Sequence, residues 1–127
     1  MSLRTLSFSQ VARDQLARLK RHTGIEHMNV LARWALCTSL AEQIPPPPAK
    51  IPADSNLEMS WEVFGGRYGA VLLAMVKQRC FEDGLDDDEE TVAQQLRLHV
   101  HRGISYLAGD RKLRSIADFA SRADRAA

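Results

Sequence analysis

No apolar run in this sequence is long enough to cross a membrane. Its densest, Val71 to Val76, covers six residues, against the roughly 20 that a spanning helix needs. The amino-terminal stretch has Arg4 but no apolar core of the kind a secretory leader carries, so a cytoplasmic protein with no membrane partner is the expectation. Cysteine is scarce. Cys37 and Cys80 form no CxxC pair and no Cys/His grouping at metal-ligand spacing, so no metal is expected. Both fall in apolar helical patterns, where a small buried hydrophobe is the expected role, ahead of a disulfide or a sulfur-carrying thiol. There is no P-loop and no GxGxxG, which removes the common nucleotide cradles, and no cofactor is expected. Ser105, Cys80 and the histidines stand in no nucleophile-elbow context. The sequence therefore points away from an enzyme.

What is present is ordinary in bulk and uneven in detail. With 127 residues, 45% of them apolar and 26% charged, the chain fits one globular domain spanning residues 1–127. The net charge of +1 conceals a pattern. Residues 1–44 carry six basic groups against three acidic, residues 45–90 four against ten, and residues 91–127 seven against three. Two basic ends thus flank an acidic middle. A polyanion fits the ends while the acidic segment faces elsewhere.

Hydrophobic periodicity predicts a mainly α protein of four to five helices with a short amino-terminal strand. Leu6 and Phe8 share one side of an alternating stretch, Arg4 to Ser9, which reads as the strand. A helix follows from about residue 8–10, with Ser7 or Ser9 as cap, and stops at Gly24. Thr23 and Glu26 have capping-box spacing, so a second helix is expected from about Glu26, its apolar stripe including Cys37 and Ile44. It ends at the four prolines Pro45 to Pro48. Residues 1–44 thus make a strand–helix–helix unit and residues 45–56 a proline-rich spacer. The expected role of the prolines is a stiff spacer, ahead of a ligand for a proline-binding domain. Residues 57–127 form a helical carboxyl-terminal part. It opens with an alternating stretch, Leu57 to Phe64, that reads as extended. A helix over Arg67–Asp83 follows, then one from the acidic run Leu85–Glu90 to Gly109, and a short last one around Ser115–Ser121 carrying Ile116 and Phe119. The acidic run suits the positive end of a helix dipole better than it suits a metal. The middle of the Arg67–Asp83 helix is apolar all round, which predicts burial on two sides, the second against another subunit.

The amino-terminal order of strand, helix, glycine turn and helix is ribbon-helix-helix-like, a layout in which two chains pair their strands. Arg13, Arg18, Lys20 and Arg21 make the first helix basic. A solvated face is the bland reading, and a phosphate-contacting surface the sharper one. Arg4 and Arg33 are candidates alongside. No aromatic residue interleaves with these cations, which favours duplex backbone over single-strand stacking. The most distinctive string runs from His99 to Gly109 (H-V-H-R-G-I-S-Y-L-A-G). Its two histidines lie two residues apart, so on a regular helix they cannot share a metal. Arg97, His101 and Arg102 rank below the first helix as DNA contacts, because the glycine and apolar neighbours there predict tight packing.

That string, with Leu96-Arg97-Leu98 before it, resembles the carboxyl-terminal signature of the DndE family of DNA sulfur-modification proteins. The stretches Leu31–Leu40, Trp61–Gly66 and Gly84–Glu90 are similar too, in the same order. The resemblance implies a part in replacing a non-bridging phosphate oxygen of DNA with sulfur. In such systems other subunits mobilise the sulfur and carry the adenylating and ATPase activities. The DndE component is the small one. It is implicated in binding double-stranded DNA, nicked DNA included, and in assembling as a homo-oligomer, for which a tetramer is favoured here. No catalytic residue carries over. The competing readings are a ribbon-helix-helix transcriptional repressor, which would show one defined operator, and a protein scaffold without affinity for nucleic acid.

Overall fold

The computed structural model describes residues 3–110 together with 117, 118 and 121. The chain opens with β1 (Thr5–Ser7). Ser9 then caps α1 (Gln10–Thr23), its Oγ accepting from the Ala12 N–H at 3.1 Å. A second acceptor at that end comes from far along the chain: Asp54 Oδ1 takes the Gln10 N–H at 2.8 Å. Gly24, at φ 74°, closes the helix in the left-handed conformation that glycine adopts without strain. After α2 (Met28–Leu40), residues 41–57 form neither helix nor strand. β2 (Glu58–Ser60) pairs antiparallel with β1, placing Leu6 opposite Met59. A one-turn α3 (Trp61–Gly65) and a 3-10 turn (Gly66–Tyr68) lead into α4 (Gly69–Glu82). Asp88 caps the longest element, α5 (Glu89–Gly109), and the Thr91 hydroxyl and N–H hold its carboxyl below the usual range.

α5 is the spine. α2 packs along it, α1 lies against both, and α4 packs on α5 and α3. Phe8, Leu16, Leu31, Leu36, Phe64, Val76, Val92, Val100, Ile104 and Leu107 fill the space between them and are almost completely buried. Leu6 and Phe8 both turn inward, as their alternation predicts. At Gly103 the backbones of α2 and α5 are so near that a Cβ would lie 1.8 Å from the Ala35 carbonyl oxygen. Only a glycine lets the two backbones approach so near.

The structure corrects several local expectations. Thr23 does not cap α2. Its hydroxyl donates to the Leu19 carbonyl (2.7 Å) and accepts from the Ile25 N–H (3.2 Å), which closes α1 instead. α2 starts at Met28 and stops at Leu40, short of the prolines. Ile44, expected in its apolar stripe, is 69% exposed, and Cys37 also reaches the surface. Partial loss of solvent around its sulfur, which disfavours the thiolate, still pushes the Cys37 thiol up. The Leu57–Phe64 alternation continues as strand only to Ser60, whose Oγ accepts from the Val63 N–H and starts α3. The ribbon-helix-helix order of the first half is present, but β1 finds its partner in β2 of the same chain. Most of the short helix expected around residues 115–121 lies outside the described residues; Ala117, Asp118 and Ser121 are helical.

Candidate nucleic-acid interface

α1 buries Ala12, Leu16, Leu19 and Thr23 along one side. At 100° per residue, Arg13, Arg18, Lys20 and Arg21 fall within an arc of about 160° centred roughly opposite that buried side. All four are exposed. The fold thus brings the four together on one solvent face, with Asp14 among them. The Asp14 carboxylate accepts from Gln10 Nε2 at 2.9 Å. Lys20, Arg21 and His22 occupy the last turn, where cations also complement the helix dipole. A row of extended cations on a rigid helix can meet successive phosphates of a duplex and displace its counterions.

Arg4 stands apart on the approach to β1, exposed, its carbonyl accepting from the Trp61 N–H at 2.9 Å. Arg33 is half-buried. Its Nη1 donates to the Phe64 carbonyl at 2.8 Å, and its guanidinium lies 5.8 Å from the Tyr68 ring, bracing α2 against α3. Neither belongs to the α1 arc.

The signature string of α5 is occupied with holding the fold together. Arg97 is buried, and its guanidinium donates to the carbonyls of Ser7 (2.9 Å), Ile51 (2.7 Å) and Pro52 (3.1 Å). One cation thereby ties β1 and the proline-rich segment to α5. His101 Nε2 accepts from the Ser9 N–H at 3.2 Å, and Nδ1 lies 2.8 Å from the Arg97 carbonyl. That pairing requires the neutral ring with its proton on Nδ1, and burial lowers the His101 pKa accordingly. Arg102 donates to Ser39 Oγ (2.8 Å) and to the carbonyls of Ser39 (2.9 Å) and Ile44 (2.6 Å). Arg79, from α4, donates to the carbonyls of Leu40 and Glu42. His99 lies 2.8 Å from Ser39 Oγ through Nδ1 and is 1% exposed. Burial, then Arg102 and Arg79, push its pKa down to about 4. Arg79 is the clamp that sequence reasoning missed. The bare i,i+4 spacing of Arg79 and Asp83 reads as a surface pair, 3.5 Å apart here, and carries no sign of the distant carbonyls.

A family model described as DNA sulphur modification protein DndE matches residues 5–115. Two solved structures are similar in fold. The DndE of Escherichia coli B7A, described as involved in DNA phosphorothioation modification, superposes with a TM-score of 0.69 at 24% identity. That match covers 84% of this chain and 98% of the other. A glycine-to-lysine mutant of DndE involved in DNA phosphorothioation gives a TM-score of 0.62 at 19% identity, covering 81% and 96%. No curated protein matches.

Proposed function

This chain belongs to the DndE family of DNA sulphur modification proteins, and from that premise we propose that it is a non-catalytic subunit of the DNA phosphorothioation machinery. In this reading it holds duplex DNA, nicked duplex included, against the basic α1 faces of a homo-oligomer. The observation that carries the proposal is the arc of Arg13, Arg18, Lys20 and Arg21, all exposed and all opposite the side by which α1 joins the core. Arg4 and Arg33 are flanking contacts at most. Arg33 can offer DNA only the donors that the Phe64 carbonyl leaves over. A subunit without chemistry of its own fits the state of the polar groups in the signature string. His99 is held through Nδ1 by Ser39 of α2, and His101 through both ring nitrogens by the backbone of Ser9 and Arg97.

Repetition of the basic face in an oligomer offsets the small net charge of one copy. Val71 and Met75, 62% and 38% exposed beside Leu40, supply an apolar patch for self-association. The repressor reading gains nothing from the fold, because the strand it would lend to a second copy is paired with β2.

The test is a Lys20→Glu, Arg21→Glu variant, checked by thermal melt and titrated with intact and nicked duplex at two salt concentrations. Each lost phosphate contact should lower the salt slope by about one and weaken binding evenly across sequences. A folded variant with wild-type affinity and slope sinks the proposal.

A further inference from the structure

Beyond the Val71–Met75 patch, two more large apolar side chains stand exposed at the end of α4 and in the turn after it, Phe81 and Leu85. Phe81 is 77% exposed, a costly arrangement for an aromatic ring that has nowhere to shelter. With Ala74 and Gln78 it continues a helical stripe that ends on Leu85, and an open groove of about 570 Å³ runs along it. Asp86 and Asp87 close the groove at one end, and Glu82, next to Phe81 in α4, flanks it on the Val71–Met75 side and accepts from Gln78 Nε2 at 3.3 Å. Lys77 borders one side. α4 packs on α5 and α3, whereas α1 packs on α5 and α2, so the acidic corner and the basic face belong to separate parts of the fold.

We propose that this corner is the docking site for a basic amphipathic helix of another protein of the modification machinery. This rests on the reading of the chain as a subunit. The groove follows α4 from Ala74 to Phe81, about 10 Å, and continues past Leu85, enough for an incoming helix to lay two to three turns on it with its apolar face on Phe81 and Leu85. Ala74 leaves room for close approach at the other end. Lysine or arginine on the flanks of the incoming helix meets Glu82, Asp86 and Asp87. Charge separates this occupant from two others. DNA is repelled by the three carboxylates. A second copy related by a two-fold axis through Phe81 and Leu85 would bring both sets of carboxylates together.

The experiment uses the full chain and two labelled 18-residue synthetic helices, one of leucine and lysine, the other of leucine and glutamate, read by fluorescence anisotropy. The lysine helix is expected to bind saturably and more weakly at high salt, and the glutamate helix not to bind. A Phe81→Asp, Leu85→Asp variant should lose at least tenfold in affinity. A Val11→Asp variant, altered at an exposed apolar position on α1, should match wild type. Equal binding of both helices, binding of neither, or equal binding by the two variants overturns the proposal. So does a fall in the light-scattering mass of the Phe81→Asp, Leu85→Asp variant, which would assign the corner to a second copy. The DNA reading is independent of this outcome: a chain that binds the lysine helix but no duplex keeps this surface and loses that function.

Discussion

Replacing a hydrogen of Gly103 by a methyl group would place that carbon inside the Ala35 peptide, 1.8 Å from its oxygen and 2.4 Å from its carbon. Backbone cannot swing aside as a flexible side chain does, so α2 and α5 would have to separate. A Gly103→Ala variant is expected to lose about 4 kcal/mol or more, beyond the usual range for a single substitution. Chemical denaturation should show it, and a loss below about 1 kcal/mol would mean that the close approach is not needed. His99 makes the second residue-scale argument. Its folded pKa of about 4 lies below the ordinary 6.5 because burial and two arginines oppose a charge there. Between those values the unfolded chain binds the extra proton. Stability should therefore be flat above about pH 6.5 and fall as the pH drops towards 4, by on the order of 3 kcal/mol for this group. His101, lowered by burial, acts in the same direction. In a pH series of melting temperatures, a His99→Gln variant should lose much of the slope. An unchanged slope would show that other groups set it.

At the scale of elements, the end of α2 is the instructive case. The helix has no basic residue in its last turn, and nothing in its own sequence predicts a stop at Leu40. The carbonyls of Ser39 and Leu40, and those of Glu42 and Ile44 just beyond the helix, find donors from elsewhere: Arg102 of α5 takes Ser39 and Ile44, and Arg79 of α4 takes Leu40 and Glu42. These are guanidinium groups serving as a helix cap from outside the helix. Replacing Arg102 with leucine keeps much of the bulk and takes this donor from the buried Ser39 carbonyl and hydroxyl, at a cost of about 1–3 kcal/mol. Amide hydrogen exchange should then speed up at residues 37–41 before it does in α1. Uniform acceleration across the chain would point to general destabilisation instead. α1, by contrast, was readable in most of its parts: Ser9 was one of two cap candidates, and of the apolar positions Val11, Ala12, Leu16 and Leu19 only Val11 turns to solvent. Its cap, its buried side and its closing glycine are all local features, so the prediction of a basic solvent face needed no tertiary information.

The whole molecule carries its charge differently from the linear sum. Residues 91–127 hold seven basic groups, but Arg97 and Arg102 spend their donors on carbonyls of the same chain. The basic character of that end is therefore smaller at the surface than in the sequence. The α1 face stands out more for it, and the acidic corner of α4 stays exposed. Assembly is the remaining expectation at this scale. A thin helical domain that leaves Val71 and Met75 open should self-associate, and light scattering at micromolar concentration is expected to give a multiple of 14.2 kDa, four copies favoured. A mass of one chain would rule this out.

By itself the sequence determined the helical class, the limits of α1, the inward pair Leu6 and Phe8, and the acidic start of α5. Each of these follows from residues within a turn or two of one another. The signature string also announced tight packing at Gly103. Tertiary structure decided the rest. β1 pairs with β2 rather than with a second copy. Three arginines became internal clamps because the carbonyls they satisfy lie from 37 to 90 positions away along the chain. Periodicity reports which side of an element is apolar. It cannot report which distant backbone oxygen will be left without a partner, and a buried acceptor without a donor is too costly for the fold to leave unanswered.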